Sequence, residues 1–131
     1  MPRMNPRLLL LVLCLAGNVL LVGACSPNKI LAAKLKEADR AVVMSSFETN
    51  RLTLTGADLQ KIIQAIAIGK KAASGLGSAY AFELHFFKGN ELVEKVTGSE
   101  KVFWTAKGDY IDQTHEFQSL AEKFRELNRQ K

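Results

Sequence analysis

Cysteine and histidine are scarce in this chain, and their scarcity removes whole classes of protein. Only Cys14 and Cys25 occur in 131 residues. Two thiols permit one internal disulfide at most, which excludes a small disulfide-stapled scaffold. The two histidines, His85 and His115, stand far apart, and neither His-x-His nor His-Glu-x-x-His spacing occurs. With thiols this few, a zinc site is not expected. No cofactor-binding pattern is evident either. Gly75-Leu76-Gly77 begins like a dinucleotide loop, but Tyr80 fills the third glycine position and the segment leads into a strand. No serine lies in a Gly-x-Ser-x-Gly nucleophile elbow. Internal repeats and long low-complexity tracts are also missing.

Charge is missing from one long stretch. Arg3 and Arg7 precede it without any acid, and Leu8 to Asn28 carries no charged residue. From Lys29 onward charges are dense and of both signs. The basic start and the apolar run Leu8 to Ala16 have the form of an export signal, which is set aside before fold reasoning. Its end is more specific. Val22-Gly23-Ala24-Cys25 has an aliphatic residue, two small residues and then cysteine. Small side chains suit a peptidase that cuts beside a membrane, and a thiol just past an apolar segment is within reach of a lipid donor.

This segment resembles the lipobox of bacterial lipoproteins. The resemblance covers residues 1–26 and implies a diacylglyceryl thioether on Cys25, cleavage between Ala24 and Cys25, and acylation of the new amine. Several acyl chains, at about 0.8 kcal/mol per buried methylene, anchor stably where one chain is marginal. Two other readings remain: an uncleaved span over Leu8 to Asn28, long enough to cross a bilayer, and an ordinary signal peptide. Gly17, Asn18, Gly23 and Pro27 weaken the first. The family resemblance also implies a place in the cell membrane or the outer membrane, with the domain outside the cytoplasm. Ser26, in place of the aspartate that favours inner-membrane retention, leans towards the outer membrane.

Removing the first 24 of 131 residues leaves 107, enough for one small core. Lys plus Arg falls from 18 to 16 against 13 acids, so the net charge falls from +5 to about +3. The whole-chain pI of 9.4 thus overstates the basic character. No block of like charge marks a nucleic-acid surface.

The mature chain divides into a lipidated tether and helix over 25–40 and a single domain over 41–131. Lys29 to Ala41 reads as a helix that packs on the domain, acts as a stalk, or lies on the membrane. Val42 to Phe47 and Leu52 to Leu54 read as strands. Thr55 starts a helix, with Asp58 at the capping-box position and Leu59, Ile62, Ile63 and Ile66 at helical spacing. Gly69 closes it, and Lys70 and Lys71 suit its C-terminal dipole. Ala72 to Ser78 reads as a loop. Tyr80, Phe82, Leu84 and Phe86 alternate with Ala81, Glu83, His85 and Phe87 as a strand. Gly89-Asn90 turns into Leu92 to Thr97, and Val102 to Thr105 and Tyr110-Ile111 follow. A last helix begins near Thr114, with Phe117, Leu120, Ala121, Phe124 and Leu127 on one face. The expected fold is α+β: a small antiparallel sheet of about four to five strands with two amphipathic helices packed on one face, plus an N-terminal helix after the lipid anchor.

Candidate sites are few. Asp109 and Asp112 flank Tyr110-Ile111, a pattern that fits acid–base work or equally a turn and a helix entry. Trp104, Phe103 and Tyr110 form a candidate exposed aromatic edge, although most aromatics in so small a domain are core. Two functions follow. One is a non-enzymatic envelope module that binds an envelope protein, with Trp104, Tyr110, Asp109 and Asp112 as possible binding residues. The alternative is a small hydrolase-like envelope enzyme using Asp109, Asp112 or His85. The lack of a catalytic constellation favours the first.

Overall fold

A computed structural model describes residues 28–73 and 80–129. Ala24, Cys25 and the rest of the lipobox, with the Gly75-Leu76-Gly77 segment, lie outside the described residues. In chain order the elements are α1 (Lys29–Leu35), β1 (Arg40–Met44), β2 (Leu52–Leu54), α2 (Gly56–Ala67), β3 (Lys70–Lys71), β4 (Phe82–Lys88), β5 (Glu91–Gly98), β6 (Val102–Thr105), β7 (Gly108–Ile111) and α3 (Glu116–Arg129). The fold is α+β, with one antiparallel sheet in the order β2-β1-β4-β5-β6-β7-β3. Seven strands among the described residues exceed the four to five expected.

Alternation decides which face of the sheet is dry. Successive side chains of a strand point to opposite faces. Along β4, Phe82, Leu84 and Phe86 are buried while Glu83, His85 and Phe87 are not. The register carries that inner row across the sheet, pairing Phe86 with Ala41, Leu84 with Val43 and Val96, and Phe82 with Gly98. Onto this face pack Leu59, Ile62, Ile63 and Ile66 of α2 and Phe117, Leu120, Ala121 and Phe124 of α3, in one continuous core. Both helices carry their apolar residues at i, i+3 and i+4 spacing, so each buries a single stripe.

The added strand comes from Lys70 and Lys71. Expected only as charges beyond the end of α2, they pair with Ile111 and Tyr110 as β3 at the sheet edge. Lys71 donates to the Lys107 carbonyl and its ammonium lies 5.7 Å from the Tyr110 ring centroid. Thr55 does occupy the N-cap of α2, but without a side-chain cap bond.

Helix α1 stops at Leu35, six residues before the expected end. The reason is the β4–β5 hairpin. Asp39 donates its backbone N–H to the Phe87 carbonyl and accepts the Gly89 N–H on its carboxylate at 2.7 Å. Arg40 donates to the Gly89 carbonyl at 2.8 Å and lies over the Phe87 ring. These bonds need extended backbone, so β1 starts at Arg40; it ends at Met44 rather than Phe47. Phe47 falls in the following turn, 92% exposed. Gly89 itself takes φ 59, which a two-residue hairpin loop with glycine first requires. Helix α1 packs against α2 and β5, adding Leu35 to the core.

Gly98 is a different kind of glycine. It sits in β5 between Phe82 and Phe103, its two cross-strand partners. The Phe117 ring fills the space above it, 5.0 Å from Phe103 and 6.4 Å from Phe82 with near-parallel planes. A Cβ at 98 would meet Phe117 at 2.7 Å. Gly98→Ala is therefore expected to destabilise the protein by about 1–3 kcal/mol through overpacking. In a denaturation double-mutant cycle with Phe117→Leu, the two losses should be less than additive. Additive losses would show that the ring does not fill that slot.

A second expectation concerns acid. The Gly89 N–H bond, followed by Arg40, holds the Asp39 carboxyl below its usual 3.8. The unfolded chain then takes up the proton at higher pH than the folded one. The bond's contribution is full above about pH 5 and is lost as pH falls through the lowered value. Asp39→Asn should flatten the acid limb of stability against pH, with little change in its slope near neutrality.

Candidate functional site

With both long helices on one face, the other face of the sheet is open among the described residues. Cross-strand register places its side chains in rows. One row holds Thr53, Val42, His85 and Lys95. The next holds Met44, Glu83, Thr97, Trp104 and Asp109. A third holds Arg40, Phe87 and Leu92. The last pairing follows a bulge between Phe86 and Phe87, where β5 has Val93 extra and the strand is re-aimed. Val42, Met44, Phe87 and Trp104 are half-buried, and Leu92 is exposed. The surface is thus a half-apolar plane set among charges of both signs.

The sequence candidates divide on this structure. Trp104 lies on the open face, between Thr97 and Asp109. Phe103 and Tyr110 do not form an exposed edge with it. They point to the opposite face, 0% and 1% exposed, with rings stacked at 5.5 Å. Neighbouring strand positions cannot share a face, so Trp104 could not take Phe103 with it.

Asp112 is a helix cap. It is 8% exposed, and its carboxylate accepts the Thr114 N–H at 2.9 Å, the Thr114 hydroxyl at 2.6 Å and the Phe117 N–H at 2.9 Å. The bond to Phe117 answers one of the unpaired donors at the start of α3, and the two to Thr114 tie down the turn before it. The carboxylate is committed to them. Helix α3 opens at Glu116, just after His115 at φ 66. His85 lies on the open face with its Nε2 3.2 Å from Glu83 Oε2. From His85 on β4 to Asp109 on β7 is three strand spacings, roughly 14 Å. Asp109, Asp112 and His85 are therefore not brought together. Among the described residues, no three His, Cys, Asp or Glu side chains cluster as metal ligands.

Two features were less legible in the sequence. The open face of β4, with Glu83, His85 and Phe87, was implicit in its alternation, but the width of that face depends on long-range register. Asn28 gave no signal. It is 1% exposed, and its Nδ2 donates to the Ile66 carbonyl at 3.0 Å, near the end of α2. A shallow groove between Leu52 and the end of α3 is lined mainly by charged side chains, among them Arg125, which is paired with Glu100 at 2.8 Å. Among the described residues no helix is long and apolar enough to cross a membrane. No protein family matches this chain, nor does any curated protein or solved structure.

The cap assignment has a measurable consequence. Asp112→Ala should cost about 1–2 kcal/mol, the range of a lost N-cap, and Asp112→Asn less. Asp109→Ala, at a half-exposed position, should stay within about 0.5 kcal/mol of the parent. Urea denaturation followed by circular dichroism separates the two. Equal costs would mean that the Asp112 bonds do not carry the start of α3.

Proposed function

We propose that the mature protein is a lipid-anchored bacterial envelope module that binds an envelope partner through the open face of its sheet. The anchor is Cys25, freed by cleavage after Ala24, and the domain stands outside the cytoplasm at the cell membrane or outer membrane. The observation that carries the binding reading is the helix-free face bearing Trp104 with Val42, Met44, Phe87 and Leu92. Half-buried aromatic and aliphatic side chains interspersed with Arg40, Glu83, Lys95 and Asp109 suit an interface that combines apolar contact with polar pairing. Trp and Arg are the side chains most often found at binding hot spots. The separation of His85, Asp109 and Asp112 supports binding over hydrolysis. The anchoring rests on Val22-Gly23-Ala24-Cys25.

Both parts are open to experiment. Intact mass of the membrane fraction should show loss of residues 1–24 with a gain of acyl mass, and Cys25→Ser should remain an unlipidated precursor. A photo-crosslinking residue at Lys95 or Thr97 should give a discrete adduct in intact cells, and one at Glu122 on α3 should not. Trp104→Ala should weaken that adduct while the domain stays folded. Adducts from Glu122 and none from the sheet would place binding on the helical face instead.

A further inference from the structure

The short link between Cys25 and a buried residue fixes which part of the domain lies nearest the lipid. Asn28 is anchored at both ends of its own structure. Its side chain donates to the Ile66 carbonyl, and its carbonyl accepts the Ala32 N–H at 2.8 Å to begin α1. Cys25 is three residues away, and three residues reach roughly 10–11 Å at full extension. If Cys25 bears the lipid, the contact between Asn28 and Ile66 lies within that distance of the headgroups.

The surface around this contact is unlike the rest of the domain. Ile30, two residues after Asn28, is 75% exposed, and Ile68, two residues after Ile66, is 42% exposed. Gln113 ties in the next strand end by donating to the Ile68 carbonyl at 2.6 Å. Ile111, 38% exposed, pairs with Lys70 beside it. Three of the five exposed large hydrophobics thus gather at this end of the sheet. Lys29 and Lys70 are exposed among them. Asn28 to Lys36 and Leu59 to Phe82 contain six lysines and no acid, while the segment around Ile111 carries Asp109 and the capping Asp112.

Exposed isoleucines with lysines beside them, next to an acyl anchor, match one surface, an anionic bilayer. We infer that the end of the domain formed by Ile30, Ile68 and Ile111 with Lys29 and Lys70 docks on anionic lipid headgroups, so that the anchored domain is held in one orientation. This inference rests on the lipidation proposed above. The opposite edge of the sheet, at β2 and the turn holding Phe47, lies six strand spacings away, roughly 28 Å. It faces away from the bilayer in that orientation.

The test uses the full chain, matured in bacteria and reconstituted in vesicles of phosphatidylcholine and phosphatidylglycerol. After cleavage and acylation no free thiol remains, so single cysteines at Ile30→Cys, Ile68→Cys and Phe47→Cys take an environment-sensitive fluorophore alone. Labels at 30 and 68 are expected to be quenched several-fold more by spin-labelled lipid than the label at 47. Quenching should fall in pure phosphatidylcholine, and also in Lys29→Glu combined with Lys70→Glu, while all proteins stay vesicle-bound through the anchor. The two isoleucine sites report independently, so a variant that misfolds leaves the other to decide. Acyl mass on Cys25 with labels at 30 and 68 no more quenched than at 47 overturns the docking alone. Absence of acyl mass overturns the anchoring and the docking with it.

Discussion

Everything in this fold leans on three phenylalanine rings around a missing side chain. Phe82 and Phe103 stand on either side of Gly98 in the sheet, and Phe117 of α3 lies over the glycine between them. The stack extends from Phe103 to Tyr110 and from Phe82 to Phe124 and Tyr80. Each fully buried ring of this kind contributes roughly 1.5–3 kcal/mol by burial, and each well-placed pair about 0.5–1.5 more. The ion pairs, by contrast, are part-exposed, as at Lys34–Glu94, and are worth at most about 1 kcal/mol each. Packing therefore decides the architecture. Glycine in a strand interior is ordinarily a weak point, but here the ring above it restores the lost contact. Gly69 repeats the device, since a Cβ there would enter the Phe103 ring.

That stack fixes the position of α3, and the Asp112 cap fixes its start. The carboxylate reaches the Phe117 N–H, so one residue both begins the helix and aims the ring that seats it. The result is a strict division of labour between the two sheet faces. Large side chains of the inner face are consumed by the helices. What is left outside is the alternate register, Val42, His85, Phe87, Leu92 and Trp104, whose apolar content exceeds what a purely solvated face requires.

Much of this division was legible from alternation alone. Phe82, Leu84 and Phe86 against Glu83, His85 and Phe87 state a two-faced strand, and Phe117, Leu120, Ala121 and Phe124 state a one-sided helix. Element type over β4, β5, α2 and α3 follows from such local periods. The misplaced elements were those ruled by distant partners. Lys70 and Lys71 look like helix-end charges until β7 offers them a strand to pair with. Asp39 and Arg40 look helical until the Gly89 hairpin takes their bonds. Tyr110 looks like a surface aromatic because nothing local shows Phe103 stacked against it. Asp112 was readable as a cap from its place before a helix, though not the three bonds its carboxylate accepts. The open face as a connected surface needed the register of strands far apart in sequence.

The edges of the sheet narrow how such a module can recognise a partner. Strand addition needs a free edge with several unpaired backbone groups. One edge here is β3, two residues long and both exposed lysines, and the other is β2, three residues long. Short edges, one of them made of lysine, are poor templates for another strand. An added peptide would gain few main-chain hydrogen bonds on either side. The broad element on offer is the plane of β1, β4, β5 and β6, where recognition runs through side chains. On such a plane, area and affinity need not track each other, because the few buried anchors dominate. Trp104 is the largest half-buried side chain there, held between Thr97 and Asp109 on adjacent strands. A residue fixed by the sheet on both sides loses little freedom when a partner covers it, which makes it the natural anchor of that surface.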